Sequence, residues 1–477
     1  MLRRIVLTRG HEPLRDAWRA RSFIASNAAS LLDKRVKVRG MVFDESYHPV
    51  RVTGESGLAV AQPMALGFNY RALDLHGVNE PGAAYATRAM FDDEEAIERM
   101  KSDRADEVIG VYADPPIQPF PVYCGNNAVG SDSNVAAKLG INQLRKAGIT
   151  GKNVRVAIVD TGIDGSIIPV AGGWSPIPGS KPGTTPADHG TMCAYDVRIS
   201  APDAKILDYA LLQSTGPGWA GFLSDALNAF ANLIQLLQNE PGSLVVNNSW
   251  GMFDRSDDEP IGSDGNYSAN PNHPFNQIVG SLVAAGADVC FAAGNCGGNC
   301  PDTRCGKHDK GAGQSIHGAN SHADVITVAA VTVDGRRLGY SAQGPGGLTK
   351  RKPDLAGYSH FRGSGVEAVD SGTSAAAPVV TGVIAALRQK VSVSKFSPAS
   401  MKGLLLRTCI DINGSDWDYD LGYGVVSAGG AAKTLKISAP TKKTSRAKKA
   451  TGPAKKRVTG KGPRASKRRK KSSKRTR

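Results

Sequence analysis

From about residue 130 to 435, short β-branched or apolar runs alternate with longer helical segments. This alternation constrains the fold more than any other feature. The runs are Val154–Val159, Ile206–Leu212, Leu244–Val246, Val289–Ala293 and Val325–Val331. The helical segments between and after them are Trp219–Gln238, Phe275–Ala285, Ser374–Gln389 and Ala399–Arg407. Strands this apolar, separated by helices, predict a mainly parallel sheet covered on both faces, an α/β fold in three layers. Polar, glycine-flanked residues follow three of the runs: Asp160-Thr161-Gly162, Asn247-Asn248-Ser249-Trp250-Gly251 and Gly294-Asn295. In open α/β sheets ligands bind beyond the carboxyl ends of the strands, so these three segments predict one shared cleft.

Outside that region the texture changes. Residues 1–75 carry no recognisable motif and form an N-terminal region of unknown role. Residues 76–130 read as a small α/β unit followed by a linker. Tyr85–Phe91 and Val108–Tyr112 are strand-like, and Asp92–Lys101 has acids at its start and bases at its end, the polarity that suits a helix dipole. The proline-rich Pro115–Pro121 reads as the linker. Residues 131–437 hold the alternating pattern, and 438–477 form a Lys/Arg-rich tail expected to be disordered.

The tail accounts for the charge. The chain of 477 residues has a net charge of +16, but residues 439–477 hold 18 Lys and Arg and no Asp or Glu, which leaves −2 before Ala439. With almost no large apolar residue, the tail cannot bury enough surface to fold alone. It is expected either to remain solvated or to contact nucleic acid or another polyanion without regard to sequence, because no aromatic residues interleave its charges. No apolar run approaches a membrane span, and the apolar stretch after Met1 breaks too early for a signal peptide. The expected location is cytoplasmic, with nuclear import through the tail or non-classical export left open.

Ser374 opens a helical run in Ser371-Gly372-Thr373-Ser374-Ala375-Ala376-Ala377-Pro378. Proline is tolerated early in a helix, so Ser374 is expected in the opening turn, where unpaired backbone N–H groups favour negative charge. His189, in His189-Gly190-Thr191, is the side-chain type best suited to move a proton near neutral pH. Asp160 ends an apolar strand, where a carboxylate needs a partner. Each alone has an ordinary structural explanation. Together they run Asp, His, Ser, each in a short motif at the end of an element.

On these residues the chain resembles the subtilisin-like serine protease family. Asp160-Thr161-Gly162, His189-Gly190-Thr191 and Gly372-Thr373-Ser374 match its three catalytic motifs, and Ala292-Ala293-Gly294-Asn295 its oxyanion-asparagine motif. Asn248-Ser249-Trp250-Gly251 resembles its substrate-binding strand, and Ala201–Ile206 the segment after the catalytic histidine. The resemblance covers roughly residues 135–430. It departs at Asp188, often Gly before the histidine, and at Ala375, often Met after the serine.

The resemblance implies a three-layer subtilisin-like fold and a serine endopeptidase acting through an acyl-enzyme on Ser374. His189 is the expected base, Asp160 its orienting partner and Asn295 an oxyanion donor. Ser249, Trp250 and Gly251 are expected to bind an extended polypeptide as an added strand. The acidic helix and strands of residues 85–113 resemble half of the family's inhibitory prodomain. The resemblance allows structural calcium, but no cofactor or metal site is identified. The alternative function is a polyanion-binding protein on a protease-like scaffold.

The seven cysteines do not read as a disulfide framework. Cys296, Cys300 and Cys305, with His308 after them, match no common zinc spacing, and a thiol cluster or one local disulfide at the cleft is expected. Cys193 reads as small buried packing. The acidic stretch Asp254–Pro274 reads as a surface loop near the pockets.

Overall fold

The computed structural model describes residues 1–9, 36–54, 83–120, 127–185, 188–213 and 220–437. The tail and Cys124 lie outside them. The chain divides into the units Met1–Ala439 and Pro440–Arg477, and the first holds every element described below.

Its main sheet has seven strands, in the order Leu355–Tyr358, Ile326–Val331, Asp288–Ala292, Leu244–Asn248, Arg155–Val159, Lys205–Tyr209 and Gly173–Trp174. Every neighbouring pair is parallel. Side chains alternate between two cores, as the period of a strand demands. Val156, Ile158, Cys290 and Ala292 pack with the helices Asp188–Ser200 and Gly372–Arg388. Ala157, Val159, Val289 and Phe291 pack with the helices Leu223–Asn239 and Pro274–Ala284. Because both faces are covered, the strands read as unbroken apolar runs. The strands Leu355–Tyr358 and Gly173–Trp174 are additions to the sequence reading. The helix expected from Trp219 begins at Leu223.

The N-terminal residues form a second, antiparallel sheet. Its order is Met41–Phe43, Ala83–Phe91, Leu2–Arg9, Val108–Ala113, with Val50–Gly54 also paired to Ala83–Phe91. Leu2–Arg9 is thus an inner strand between Ala83–Phe91 and Val108–Ala113. A division at residue 75 cuts through one sheet, so the described parts of residues 1–75 and the unit that follows share one layer. The helix Glu94–Asp103, capped by Asp93 accepting from the Ala96 N–H, closes one face over Val6, Tyr85, Phe91 and Val111. The opposite face, with Ile5, Leu7, Val50 and Tyr112, joins the core of the helices Leu223–Asn239 and Pro274–Ala284.

Charges lock this second interface. The buried Arg88 guanidinium pairs with Asp225 and Asp114 and donates to Ser224 Oγ (2.6 and 2.8 Å). Asp114 accepts from the Ser224 N–H (2.9 Å) and Oγ (2.7 Å) at the start of the helix Leu223–Asn239. His273 Nε2 lies 2.9 Å from the Ala113 carbonyl while its Nδ1 accepts from the Phe275 N–H, which fixes a neutral tautomer, and burial lowers its pKa to about 4.

Among the described residues, no helix is long and apolar enough to cross a membrane.

Candidate active site

The residues singled out from the sequence meet at the carboxyl end of the main sheet. Asp160 follows the strand Arg155–Val159 directly and is fully buried. Its Oδ1 lies 2.7 Å from His189 Nδ1 and accepts from the Thr161 N–H at 2.7 Å. His189 is the second residue of the helix Asp188–Ser200. Gly190 allows this approach: a Cβ there would stand 2.2 Å from the Gly162 carbonyl oxygen. Cys193, one turn on, places its Sγ 3.7 Å from Asp160 Oδ2 and 3.5 Å from the Ser374 carbonyl. It packs between the two motifs as a thiol, its pKa driven well up by burial and by Asp160.

Ser374 is the third residue of the helix Gly372–Arg388, entered through Gly372 at φ +79. That left-handed conformation favours glycine. Ser374 therefore lies in the opening turn, and Pro378 is accommodated one turn further on. Asn295 is oriented by its Oδ1, which accepts from the Thr373 N–H and Oγ1, each at 3.0 Å. Its Nδ2 is thereby aimed at the space beside Ser374.

That space is filled by the chain itself. The Phe120 carbonyl oxygen accepts from Asn295 Nδ2 at 2.7 Å and from Ser374 Oγ at 2.8 Å. His189 Nε2 has no hydrogen-bond partner among the described residues. The serine hydroxyl, which a base must deprotonate, is turned to Phe120 instead.

The residues before Phe120 run as a strand, Pro116–Pro119, between two short strands of the cleft, Gly221–Phe222 and Trp250–Gly251, both antiparallel to it. Trp250 pairs with Pro119 and Gly251 with Gln118, and the Phe120 N–H donates to the Ser249 carbonyl at 3.2 Å. Ser249, Trp250 and Gly251 thus meet an extended peptide through their backbone. The Trp250 ring points away, packing on Phe275 and Phe291. Pro115–Pro121, read as a linker, supplies this strand; residue 121 lies outside the described residues.

The Phe120 ring meets Phe253 edge-on, with centroids 4.9 Å apart. Gly251 makes room for it, since a Cβ there would come within 2.6 Å of the ring. Phe120 gave no signal beyond its place in a proline-rich stretch. Two of the acids after Phe253 shape the loop. Asp254 caps the turn Arg255–Asp257, and Asp258 accepts from the N–H groups of Glu259, Tyr267 and Ser268.

Cys296 and Cys305 are joined by a disulfide, and Cys300 is also disulfide-bonded. Cys193, Cys290 and Cys409 are free. Among the described residues, one group of three His, Cys, Asp or Glu side chains is close enough to ligate an ion: Asp160, His189 and Cys193. Asp160 and His189 already bind each other, and hard cations such as calcium take six to eight oxygen ligands. This set does not fit calcium, and no step is assigned to a metal.

Comparison with known proteins bears on the family and the fold. Residues 151–424 match the model of the subtilase family. The chain is 28% identical to fervidolysin of Fervidobacterium pennivorans over 327 residues, 60% of this chain and 42% of that protein. It is 30% identical to the serine protease AprX of Bacillus subtilis (strain 168) over 235 residues, 43% of this chain and 46% of that protein. The chain therefore spans less than half the length of either. A crystal structure of fervidolysin, described as a keratinolytic enzyme related to subtilisin, superposes with a TM-score of 0.55 at 19% identity, covering 92% of this chain and 61% of that one. This last likeness is one of fold. The family model spans more than half of the sequence and contains Asp160, His189, Asn295 and Ser374, and the chain belongs to the subtilase family.

Proposed function

We propose that the chain is a serine endopeptidase in precursor form, with residues 1–120 acting as an inhibitory segment that ends in the active site. The position of the Phe120 carbonyl, held between Ser374 Oγ and Asn295 Nδ2, carries this reading. A polypeptide substrate would run as Pro116–Phe120 does, as a third strand, with an aromatic residue before the cut seated against Phe253.

In the reaction, the Ser374 hydroxyl passes its proton to His189 Nε2 and attacks the carbonyl carbon. Asp160 at Nδ1 holds the tautomer that leaves Nε2 basic and stabilises the imidazolium. Asn295 Nδ2 donates to the developing oxyanion. His189 then protonates the leaving amine, and water releases the acyl group. No intermediate requires a group the chain does not supply. The Cys296–Cys305 disulfide favours an oxidising compartment over a cytoplasmic one.

Self-processing tests the reading. The purified chain should cut itself between Phe120 and Pro121 and then hydrolyse casein. Ser374→Ala should stay full length and inactive with an unchanged circular-dichroism spectrum. The ring of Pro121 replaces the usual N–H on the leaving side and crowds that bond, so Pro121→Ala should process faster. N-terminal sequencing of the product decides: casein hydrolysis by a chain intact at Phe120 would sink the precursor reading, and casein hydrolysis by Ser374→Ala would sink the peptidase assignment.

A further inference from the structure

The cysteine loop after Asn295 has a purpose in the cleft that the catalytic groups do not explain. It is tied at both ends. The Cys296–Cys305 disulfide closes it, the Asp302 N–H donates to the Asn295 carbonyl (3.0 Å), and the Gly306 N–H donates to the Phe253 carbonyl (3.1 Å). The side chain this loop presents is Arg304. Asp302 grips its guanidinium with both oxygens, Nε to Oδ1 and Nη2 to Oδ2, each at 3.0 Å. The guanidinium also lies over the Phe253 ring, 3.9 Å from its centroid. So fixed, Nη1 donates to two acceptors of the strand in the cleft: the Pro119 carbonyl and Gln118 Oε1, each at 3.0 Å.

With Phe120 the residue before the proposed cut, Pro119 and Gln118 are the second and third before it. The first contact reaches a backbone atom that every substrate has. The second reaches a side chain, so it discriminates. We propose that Arg304 is a positioning and specificity-determining residue, selecting polypeptide substrates with a hydrogen-bond acceptor, glutamine or glutamate, three residues before the cut. The inference rests on reading the strand Pro116–Phe120 as the substrate path. A lysine at that place offers no acceptor and brings a second positive charge to the guanidinium. The Cys296–Cys305 disulfide closes the loop next to Arg304 and helps keep the guanidinium in reach, and the disulfide of Cys300 restrains the same loop.

Four peptide p-nitroanilides test this with the self-processed enzyme: Ile-Gln-Pro-Phe, Ile-Glu-Pro-Phe, Ile-Ala-Pro-Phe and Ile-Lys-Pro-Phe. A charge-assisted hydrogen bond at a partly exposed site is worth about tenfold. The glutamine and glutamate peptides should therefore exceed the lysine peptide by about that factor in kcat/KM, mostly through KM. In Arg304→Ala all four should weaken, because the backbone contact is shared, and the glutamine-to-lysine ratio should fall to about one. Arg304→Lys, which loses the two-pronged grip on Asp302, should keep only part of the ratio. The paired change Cys296→Ser with Cys305→Ser should lower the ratio in part, since the disulfide of Cys300 still restrains the loop. An unchanged ratio in Arg304→Ala overturns the proposal, as does a wild-type enzyme that cuts casein without ranking the four peptides. A wild-type enzyme that cuts neither the peptides nor casein refutes the peptidase reading instead.

Discussion

At the scale of single residues, the candidate site was readable because each proposed reacting group sits in a short motif at the end of an element. Asp160, His189, Ser374 and Asn295 lie where the sequence predicts, and Ser249–Gly251 pair with a peptide through their backbone. Phe120 and Arg304 were not readable. Phe120 lies 254 positions from the serine it contacts, and Arg304 is recognisable only once the disulfide and Phe253 are seen around it. The orientation of Asn295 also has a cause absent from its own motif, since Thr373, the residue before the nucleophile, holds its Oδ1. This gives a graded expectation. Asn295→Ala removes the donor and should lower kcat on casein by about 10²–10³, the loss seen in subtilisin when its oxyanion asparagine is replaced. Thermal unfolding in a Ser374→Ala background checks that the fold survives. A loss of less than tenfold would show that backbone donors carry the oxyanion alone.

Elements were legible where burial is two-sided and the run is long, and less so where pairing spans many residues. Arg155–Val159 and Asp288–Ala292 announce themselves as apolar runs. Leu2–Arg9 does not, although Ile5 and Leu7 face one core and Val6 another. Its apolar run is only Ile5-Val6-Leu7, set between Arg3-Arg4 and Thr8-Arg9, and its partners begin about eighty residues on. Between the catalytic elements lies a contact with a pH signature. Asp196, on the helix that carries His189, meets Asp370, which precedes Ser371 at the entry to the serine helix; both are fully buried. Ser364 donates to both oxygens of Asp370, while neither oxygen of Asp196 has a hydrogen-bond partner among the described residues, and the Asp370 charge lies close to it. Asp132 and Glu367 add negative charge nearby. Burial, first of all, raises Asp370 to about 6 and pushes Asp196 well up. An acid that binds its proton more tightly when folded favours the folded state at low pH. That advantage fades as pH rises from the ordinary value near 4 through 6 and beyond. Asp196→Asn replaces the buried carboxyl by an amide that does not titrate. In the Ser374→Ala background it should therefore be the more stable protein at pH 8, on the order of 1 kcal/mol, and gain little at pH 5. Equal Tm differences at the two pH values would show that burial does not raise the proton affinity of this pair.

On the scale of the whole molecule, the two sheets and the tail divide the work by charge as well as by shape. The N-terminal sheet docks through a shared apolar core and the Arg88 pairs with Asp114 and Asp225. Breaking a buried pair of this kind costs about 3–5 kcal/mol, which makes the seat durable. The tail's 18 positive charges follow a body with a net charge of −2. A body so nearly neutral has little pull on a polyanion, whereas each phosphate the tail neutralises releases a counterion, and log K on duplex DNA falls with log salt at about −0.9 per contact. Full-length protein should therefore bind DNA and heparin at low salt, without sequence preference, and let go as salt rises. A chain ending at Pro440 should elute from heparin at much lower salt. It should keep its activity on the Ile-Gln-Pro-Phe peptide, because Asp160, His189, Asn295, Arg304 and Ser374 all precede that point. Heparin elution at the same salt for both chains would move the polyanion site onto the body. A truncated chain that no longer cuts the peptide would make the tail part of the enzyme rather than a tether for it.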